Sequence, residues 1–403
     1  MATAVVIGGG VGGLTAGLAL RLKGWDVTVL ERAPALENVG SGLAVSPNGL
    51  RALDTVGLGD PVRELARVQG AAGLRKADGR WLSRTSQERA RLRYGDGVVL
   101  LLRRVLVDLL ADRLGQANIR LNTEVTGLDP ESGTVETESG AVETERGPVE
   151  TERETLRADL VVAADGIRSR TRRQLFPEHP EPVYSGVTAW RGLLRRPEGV
   201  TVHSAESWGA GLVFGTHQLA GDIVYFYATD LAAPGGRAGD ERAELLRRFG
   251  SWHQPIPAML DAVEPGAILR NDVYYLAAPL PRLHQGRVAL LGDAAHPMTP
   301  NLGQGACQAV EDAVVLAHHA GGDLAGYTEA RLGRTAEIVR KSLAICRATK
   351  IRNPVAIGLR DLGMRVAGRF SADLMLRAMD SVLDWRPPVP AGPSSGRAPT
   401  GRA

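Results

Sequence analysis

Residues 4–32 read AVVIGGGVGGLTAGLALRLKGWDVTVLER, and the order of features in that stretch decides the fold. Ala4–Ile7 and Val27–Leu30 are short apolar runs rich in β-branched residues, separated by a helix-length segment from Leu14 to Lys23. Parallel strands buried on both faces read as continuous runs of this kind, so the stretch predicts a βαβ unit. Gly8-x-Gly10-x-x-Gly13 closes the first strand and opens the helix. Gly8 suits a tight turn, Gly10 a close approach of backbone to a pyrophosphate, and Gly13 close packing of helix on strand. The helix start adds unpaired N–H groups and the positive end of its dipole. Glu31 ends the second strand, roughly 20 residues past the glycines, where a carboxylate accepts hydrogen bonds from a ribose diol. Strand, glycines, helix and acid in this order predict a bound dinucleotide and leave NAD and FAD both open. The uncharged stretch Ala2 to Leu20 is interrupted by six glycines and lacks the basic start and cleavage site of a leader.

Two more apolar runs end in turns of the same character. Leu160–Ala164 runs into Asp165-Gly166, and Val288–Leu291 into Gly292-Asp293. Between Val183 and Ala228 polar and apolar residues mix around Gly-rich turns, which predicts an antiparallel sheet, and Leu74–Arg93 can supply further strands to it. The expected fold is α/β. A Rossmann-like dinucleotide unit (1–70, 96–180 and 268–345) is interleaved with an antiparallel-sheet substrate unit (71–95 and 181–267). C-terminal helices (346–385), broken at Asn353-Pro354, and a tail (386–403) rich in Pro, Gly, Ser, Ala and Arg complete it, and that tail composition predicts disorder. Val-Glu-Thr-Glu recurs at Val135, Val142 and Val149, which reads as a β-meander with solvated glutamates rather than a cation site.

The whole chain has 403 residues, 48 basic and 45 acidic, and no basic block, which argues against nucleic acid as a partner. Two cysteines, Cys307 and Cys346, cannot build a disulfide framework or a multi-thiolate metal site, so no metal is expected and a reducing, cytoplasmic setting is. No uninterrupted apolar run reaches the ~18 residues of a membrane span.

Residues 158–173 read ADLVVAADGIRSRTRR and residues 286–313 read GRVALLGDAAHPMTPNLGQGACQAVEDA. With the N-terminal glycines, these stretches in this order resemble the three signatures of the flavin-dependent aromatic hydroxylases, the single-component class A flavoprotein monooxygenases. The resemblance runs from residue 1 to about Trp385. Ser46-Pro47-Asn48, Trp190-Arg191-Gly192 and Asp384-Trp385 look most like the salicylate hydroxylase and zeaxanthin epoxidase branch. It implies FAD as cofactor and NADH or NADPH as co-substrate. Oxygen from O2 is then inserted into an aromatic or unsaturated small molecule through a flavin C4a-hydroperoxide, by hydroxylation or alternatively by epoxidation or Baeyer–Villiger insertion.

Carried onto this sequence, the resemblance assigns Gly8, Gly10, Gly13, Glu31, Arg32, Arg103, Val125, Asp165, Asp293, Gly303 and Gln304 to the cofactor. Asp293 falls to the ribityl chain, Arg103 to the phosphates (with Arg104 as the register alternative) and Val125 to adenine. Pro300, Gly303 and Gly305 lead into a helix whose N–H donors suit negative charge on a reduced flavin, and they form the peroxide environment. His296 reads as part of that loop's structure. Trp208, His217, Tyr225 and Tyr227, on or near the antiparallel sheet, are the candidate substrate-facing residues. A simple NAD dehydrogenase leaves Gly292–Gly305 unexplained, a flavin halogenase would carry a Trp-x-Trp-x-Ile-Pro stretch that is not here, and a non-enzymatic, non-oxygenating flavin-binding scaffold predicts bound FAD with no NAD(P)H oxidation. The expected assembly is a monomer or homodimer.

Overall fold

The N-terminal pattern folds as its periodicity predicts: β1 (Thr3–Ile7) and β2 (Asp26–Leu30) pair in parallel around α1 (Val11–Leu22). This computed structural model describes residues 1–36, 41–66, 72–85, 87–139, 152–370 and 377–388. β11 (Leu160–Ala163) joins the other side of β1, and β18 (Val288–Leu290) lies beyond it, both in parallel. With β7 (Ile119–Arg120) and β17 (His284–Gln285) at the edges, the order is β17-β18-β11-β1-β2-β7. The central strands are buried on both faces, which is why they read as unbroken apolar runs. One consequence matters for the site. β18, β11 and β1 are neighbours, so the turns at Gly292-Asp293, Asp165-Gly166 and Gly8–Gly13 leave the same carboxyl edge side by side, where open α/β sheets place ligands.

Two smaller sheets flank this one. β3 (Gly42–Val45) and β6 (Val99–Leu102) form an antiparallel ribbon; α2 (Pro47–Asp54) and α3 (Gly59–Glu64) follow β3, and α5 (Arg103–Leu114) follows β6. β8 (Thr123–Asp129), β9 (Thr134–Ser139) and β10 (Glu152–Arg157) form an antiparallel meander. The first Val-Glu-Thr-Glu copy lies on β9 with Val135 and Thr137 buried, while residues 140–151, which hold most of the other two, lie outside the described residues.

The remaining sheet has the order β16-β12-β15-β14-β13-β4-β5. Its strands are β4 (Ala72–Lys76), β5 (Trp81–Thr85), β12 (Val183–Arg195), β13 (Ala205–Trp208), β14 (Val213–Gln218), β15 (Ile223–Leu231) and β16 (Leu269–Tyr275). α7 (Glu241–Phe249) and α8 (Ile256–Ala262) cover one face, where Trp190, Phe214, Phe226, Phe249 and Met259 pack together. One expectation needs correcting here. Residues 87–94 form a helix, α4 (Gln87–Tyr94), rather than strand: Arg-Ala-Arg-Leu-Arg alternates as a strand would, but the run consists of strong helix formers, with Glu88 in the first turn and Arg91 and Arg93 in the last, as the helix dipole favours. β16 pairs with β12 and so joins the seven-stranded sheet.

α6 (Arg170–Leu175) follows the Asp165 turn, and α9 (Gly305–His319) and α10 (Leu324–Thr349) follow the Gly292 turn. α11 (Pro354–Phe370) starts at the predicted break, with Asn353 Oδ1 accepting the Val355 and Ala356 N–H groups. Tail residues 389–403 lie outside the described residues.

Candidate active site

The first turn is shaped by close approach. A Cβ on Gly13 would sit 1.9 Å from the Gly8 carbonyl oxygen, and one on Gly8, whose φ is +109°, would sit 2.4 Å from the Ala164 oxygen. Only glycines let α1, β1 and the β11 turn converge this tightly. Gly10 caps α1 with no side-chain cap, and the first helical bond runs from Leu14 N to Gly10 O, so the N–H groups of residues 11–13 have no helical partner. A Cβ on Gly10 would meet nothing nearer than the Arg103 guanidinium, at 3.9 Å. The cradle thus combines helix N–H donors with a cation that opens α5, a pairing suited to phosphate. Glu31 sits beside it, Oε2 accepting from Gly9 N at 2.8 Å and Oε1 from Ala33 N at 2.9 Å. Two donors fix this carboxylate and leave lone pairs for a diol. Thr123 N donates to Glu31 O, which brings β8 and the half-buried Val125 alongside. Arg32 is exposed.

The second turn braces the first and third. Asp165 accepts from Ser169 Oγ at 2.6 Å and Thr171 N at 3.1 Å, fixing the start of α6. Arg172, 2% exposed, reaches Ala294 O at 3.0 Å and Ile167 O at 2.8 Å. It therefore clamps the Asp165 turn to the Asp293 turn. The Asp165 carboxylate turns into its own helix start.

In the third turn, Asp293 is accessible yet ringed by protein. That crowding raises its carboxyl above the usual range, against the opposing charges of His296, Arg103 and Arg172. A Cβ on Gly305, the first residue of α9, would lie 4.0 Å from Asp293 Oδ1. Behind this surface stands a buried polar network. Asp312 accepts from Gly292 N at 2.9 Å and Arg331 Nε at 2.6 Å, and its Oδ2 lies 2.5 Å from His296 Nε2. Arg331 also donates to Glu311 and Gln308, and Glu311 accepts further from Arg334, Asn48 and Gln308. Gln304 belongs to this network: it is 1% exposed and its Oε1 accepts from Asn48 at 2.9 Å and Gln308 at 3.1 Å. Pro300 and Gly303 are exposed at the cleft side, Gly303 with φ +62°.

β3 links this loop to the antiparallel sheet. A Cβ on Gly303 would touch Ala44 at 3.7 Å, and a Cβ on Gly42 would lie 2.3 Å from the Tyr225 ring. Gly42 and Ala44 are two residues apart on one strand, about 7 Å. Tyr225, Tyr227 and His217 share the sheet face opposite Phe226 and Phe214, with ring centroids 5.8–6.3 Å apart. Trp208 joins them through a residue the sequence did not single out: Glu206 accepts from Trp208 Nε1 at 2.8 Å and from Tyr227 Oη. Its signal was the i, i+2 spacing from Trp208 on a four-residue strand, too short to stand out. Burial pushes His217 down to about 4 and raises Tyr225 and Tyr227, so at neutral pH the imidazole is uncharged and both phenols keep their protons. Among the described residues no group of three or more His, Cys, Asp or Glu could hold a metal ion, and no helix is long and apolar enough to cross a membrane.

A carboxyl-edge cradle with three converging turns, roofed by a second sheet, defines a dinucleotide-dependent oxidoreductase. A family model described as an FAD binding domain matches residues 1–209 and 267–345. The aurachin C monooxygenase/isomerase of Stigmatella aurantiaca is 38% identical over 385 residues, 93% of this chain and 97% of that protein. The FAD-dependent urate hydroxylase of Klebsiella pneumoniae is 30% identical over 366 residues, covering 86% and 90%. A Klebsiella pneumoniae enzyme solved with FAD and uric acid superposes with a TM-score of 0.82 at 27% identity, over 95% of this chain and 97% of that one. The chain belongs to the class A flavin monooxygenases. It is an FAD-dependent monooxygenase, an oxidoreductase whose relatives include aromatic hydroxylases.

Proposed function

We propose that FAD lies along the carboxyl edge, with its diphosphate over Gly10 and Arg103, its ribose diol at Glu31 and its ribityl chain at Asp293, and that the aromatic substrate sits between Gly303 and the Tyr225 ring. The unfilled cradle at Gly10, the fixed carboxylate of Glu31 and the accessible Asp293 support the fit. We assign 1–70, 96–180 and the segment from about 276 to 345 to the FAD unit, and 71–95 with 181–275 to the substrate unit. When bound, FAD supplies the redox chemistry, passing electrons from NADH or NADPH to dioxygen and activating one oxygen atom for transfer.

The chain's own residues bind, orient and shield. N–H groups at the start of α9 and the Gly303–Gly305 backbone face the reacting end and favour negative charge there. Tyr225 and Tyr227, holding their protons, act as hydrogen-bond donors or ring walls. His217 orients rather than deprotonates: moving a proton from a phenol of pKa about 10 to a base at about 4 is uphill by roughly 8 kcal/mol.

The observation that carries this reading is β3, whose Gly42 touches Tyr225 while Ala44 meets Gly303. The test is NADH and NADPH oxidation by the holoenzyme across phenols, urate and aurachin C, with product masses read for one added oxygen. Because the 38% relative is named as an isomerase as well, products are also compared by NMR for rearrangement. Oxidation that no compound stimulates, with no oxygenated product, refutes the proposal.

A further inference from the structure

We propose that Glu206 determines specificity: its carboxyl group faces the substrate cleft and receives a hydrogen bond from the substrate, so the enzyme selects an aromatic ring bearing an N–H or O–H donor on the edge turned toward β13. This deepens, and rests on, the placement of substrate against the Tyr225 face.

The register puts Glu206 there. Glu206 pairs with Gly215 on β14, and Gly215 with Tyr227 on β15, so all three share the face opposite Phe214 and Phe226. A Cβ on Gly215 would lie 2.2 Å from Tyr227 Cζ, so the bare backbone lets the phenol cross β14 and donate to Glu206 Oε1. Trp208 Nε1 holds Oε2. Two donors leave the carboxylate unsaturated, since it accepts about four.

Among the described residues Glu206 has no ion pair, although it is only partly exposed and its surroundings raise its pKa by desolvation. Arg360 stacks on Trp208 at 5.3 Å but is paired with Asp361 at 2.9 Å. Arg191 lies in the same cross-strand row, in register with Tyr227 and three strands from Glu206, roughly 14 Å at ~4.8 Å per strand. It is too distant to compensate Glu206 and offers an acceptor-binding end of its own. A carboxylate kept half-buried without a cation is unfavourable unless further donors reach it. The position left for such a donor is the cleft.

The test uses the FAD-loaded enzyme and two naphthalene probes, 3-amino-2-naphthol and the donor-free 3-methoxy-2-naphthoate, with dissociation constants read from the flavin absorbance change. Glu206→Gln is expected to weaken the amino probe about tenfold or more, about 1.4 kcal/mol, while the carboxylate probe is unchanged or tighter. Tyr227→Phe removes a competing donor and is expected to tighten the amino probe alone, which keeps the test open should Glu206→Gln not fold. Equal changes for both probes, no change in either, or a wild type that binds neither would overturn the inference. If the wild type holds FAD and oxidises NAD(P)H yet Glu206→Gln keeps the wild-type ratio of affinities, Glu206 alone is misassigned. A wild type that holds no FAD brings down the function as well.

Discussion

Replacing Arg331 with leucine probes the buried network under the Asp293 turn. Arg331 is 0% exposed and donates to Asp312 at 2.6 Å, to Gln308 Oε1 at 2.8 Å and to Glu311. In Arg331→Leu, Glu311 keeps Arg334 at 2.7 and 2.8 Å, so the damage concentrates on Asp312. That carboxylate, also 0% exposed, loses its guanidinium and retains only Gly292 N and His296. Breaking a buried pair from one side costs about 3–5 kcal/mol. At roughly 1.2 °C per kcal/mol for a chain of this size, melting should fall by about 4–6 °C. The sign with pH follows. Burial alone would raise the Asp312 carboxyl, but His296 and Arg331 outweigh it and hold it far below its ordinary range. Its contribution is therefore present above the unfolded value of about 3.9 and lost as pH falls through the lower folded value. Without Arg331 the folded value rises and acid unfolding begins at higher pH. Because Asp312 also anchors Gly292 and His296, the variant should bind FAD more weakly. Thermal melts at several pH values with flavin titration measure all three effects. A melting temperature within about 1 °C of wild type would refute the reasoning, because it would mean that Arg331 is not the charge partner.

Gly13→Ala forces a methyl to within 1.9 Å of the Gly8 oxygen, so α1 must move off β1, with an expected loss of about 1–3 kcal/mol and most bound flavin; full flavin retention in gel-filtered protein would contradict it. His217 is held at about 4 by burial, against about 6.5 unfolded, so the unfolded chain takes up a proton that the folded one refuses, and stability falls between those pH values. His217→Phe should flatten that part of the stability–pH curve relative to wild type, and chemical denaturation at stepped pH would show an unchanged slope if the imidazole were solvated.

Much of this architecture is written locally. β1, β2, β11 and β18 are buried on both faces, so each appears as an apolar run, and the turns after them need glycines or acids whose spacing is visible. The Arg172 clamp is not legible locally, because Arg172 grips the Ala294 carbonyl, more than 100 residues away in sequence, as well as the nearby Ile167 carbonyl. The Asn48–Gln304–Glu311–Arg331 network was not visible, because charged residues on a helix read as solvated and their partners lie about 250 residues away in sequence for Asn48 and Gln304. Glu206 was missed for a similar reason: one glutamate on a four-residue strand gains meaning only when Tyr227 crosses Gly215 to meet it.

The claim that three separated turns close around one flavin is tested most directly by the FAD stoichiometry of Asp293→Ala beside that of the wild type, measured by absorbance after gel filtration and paired with a circular-dichroism melt. The account predicts a yellow wild-type protein with one FAD per chain and a folded, largely colourless variant. A variant that keeps its full complement of flavin, or a wild type that takes up none, would contradict it.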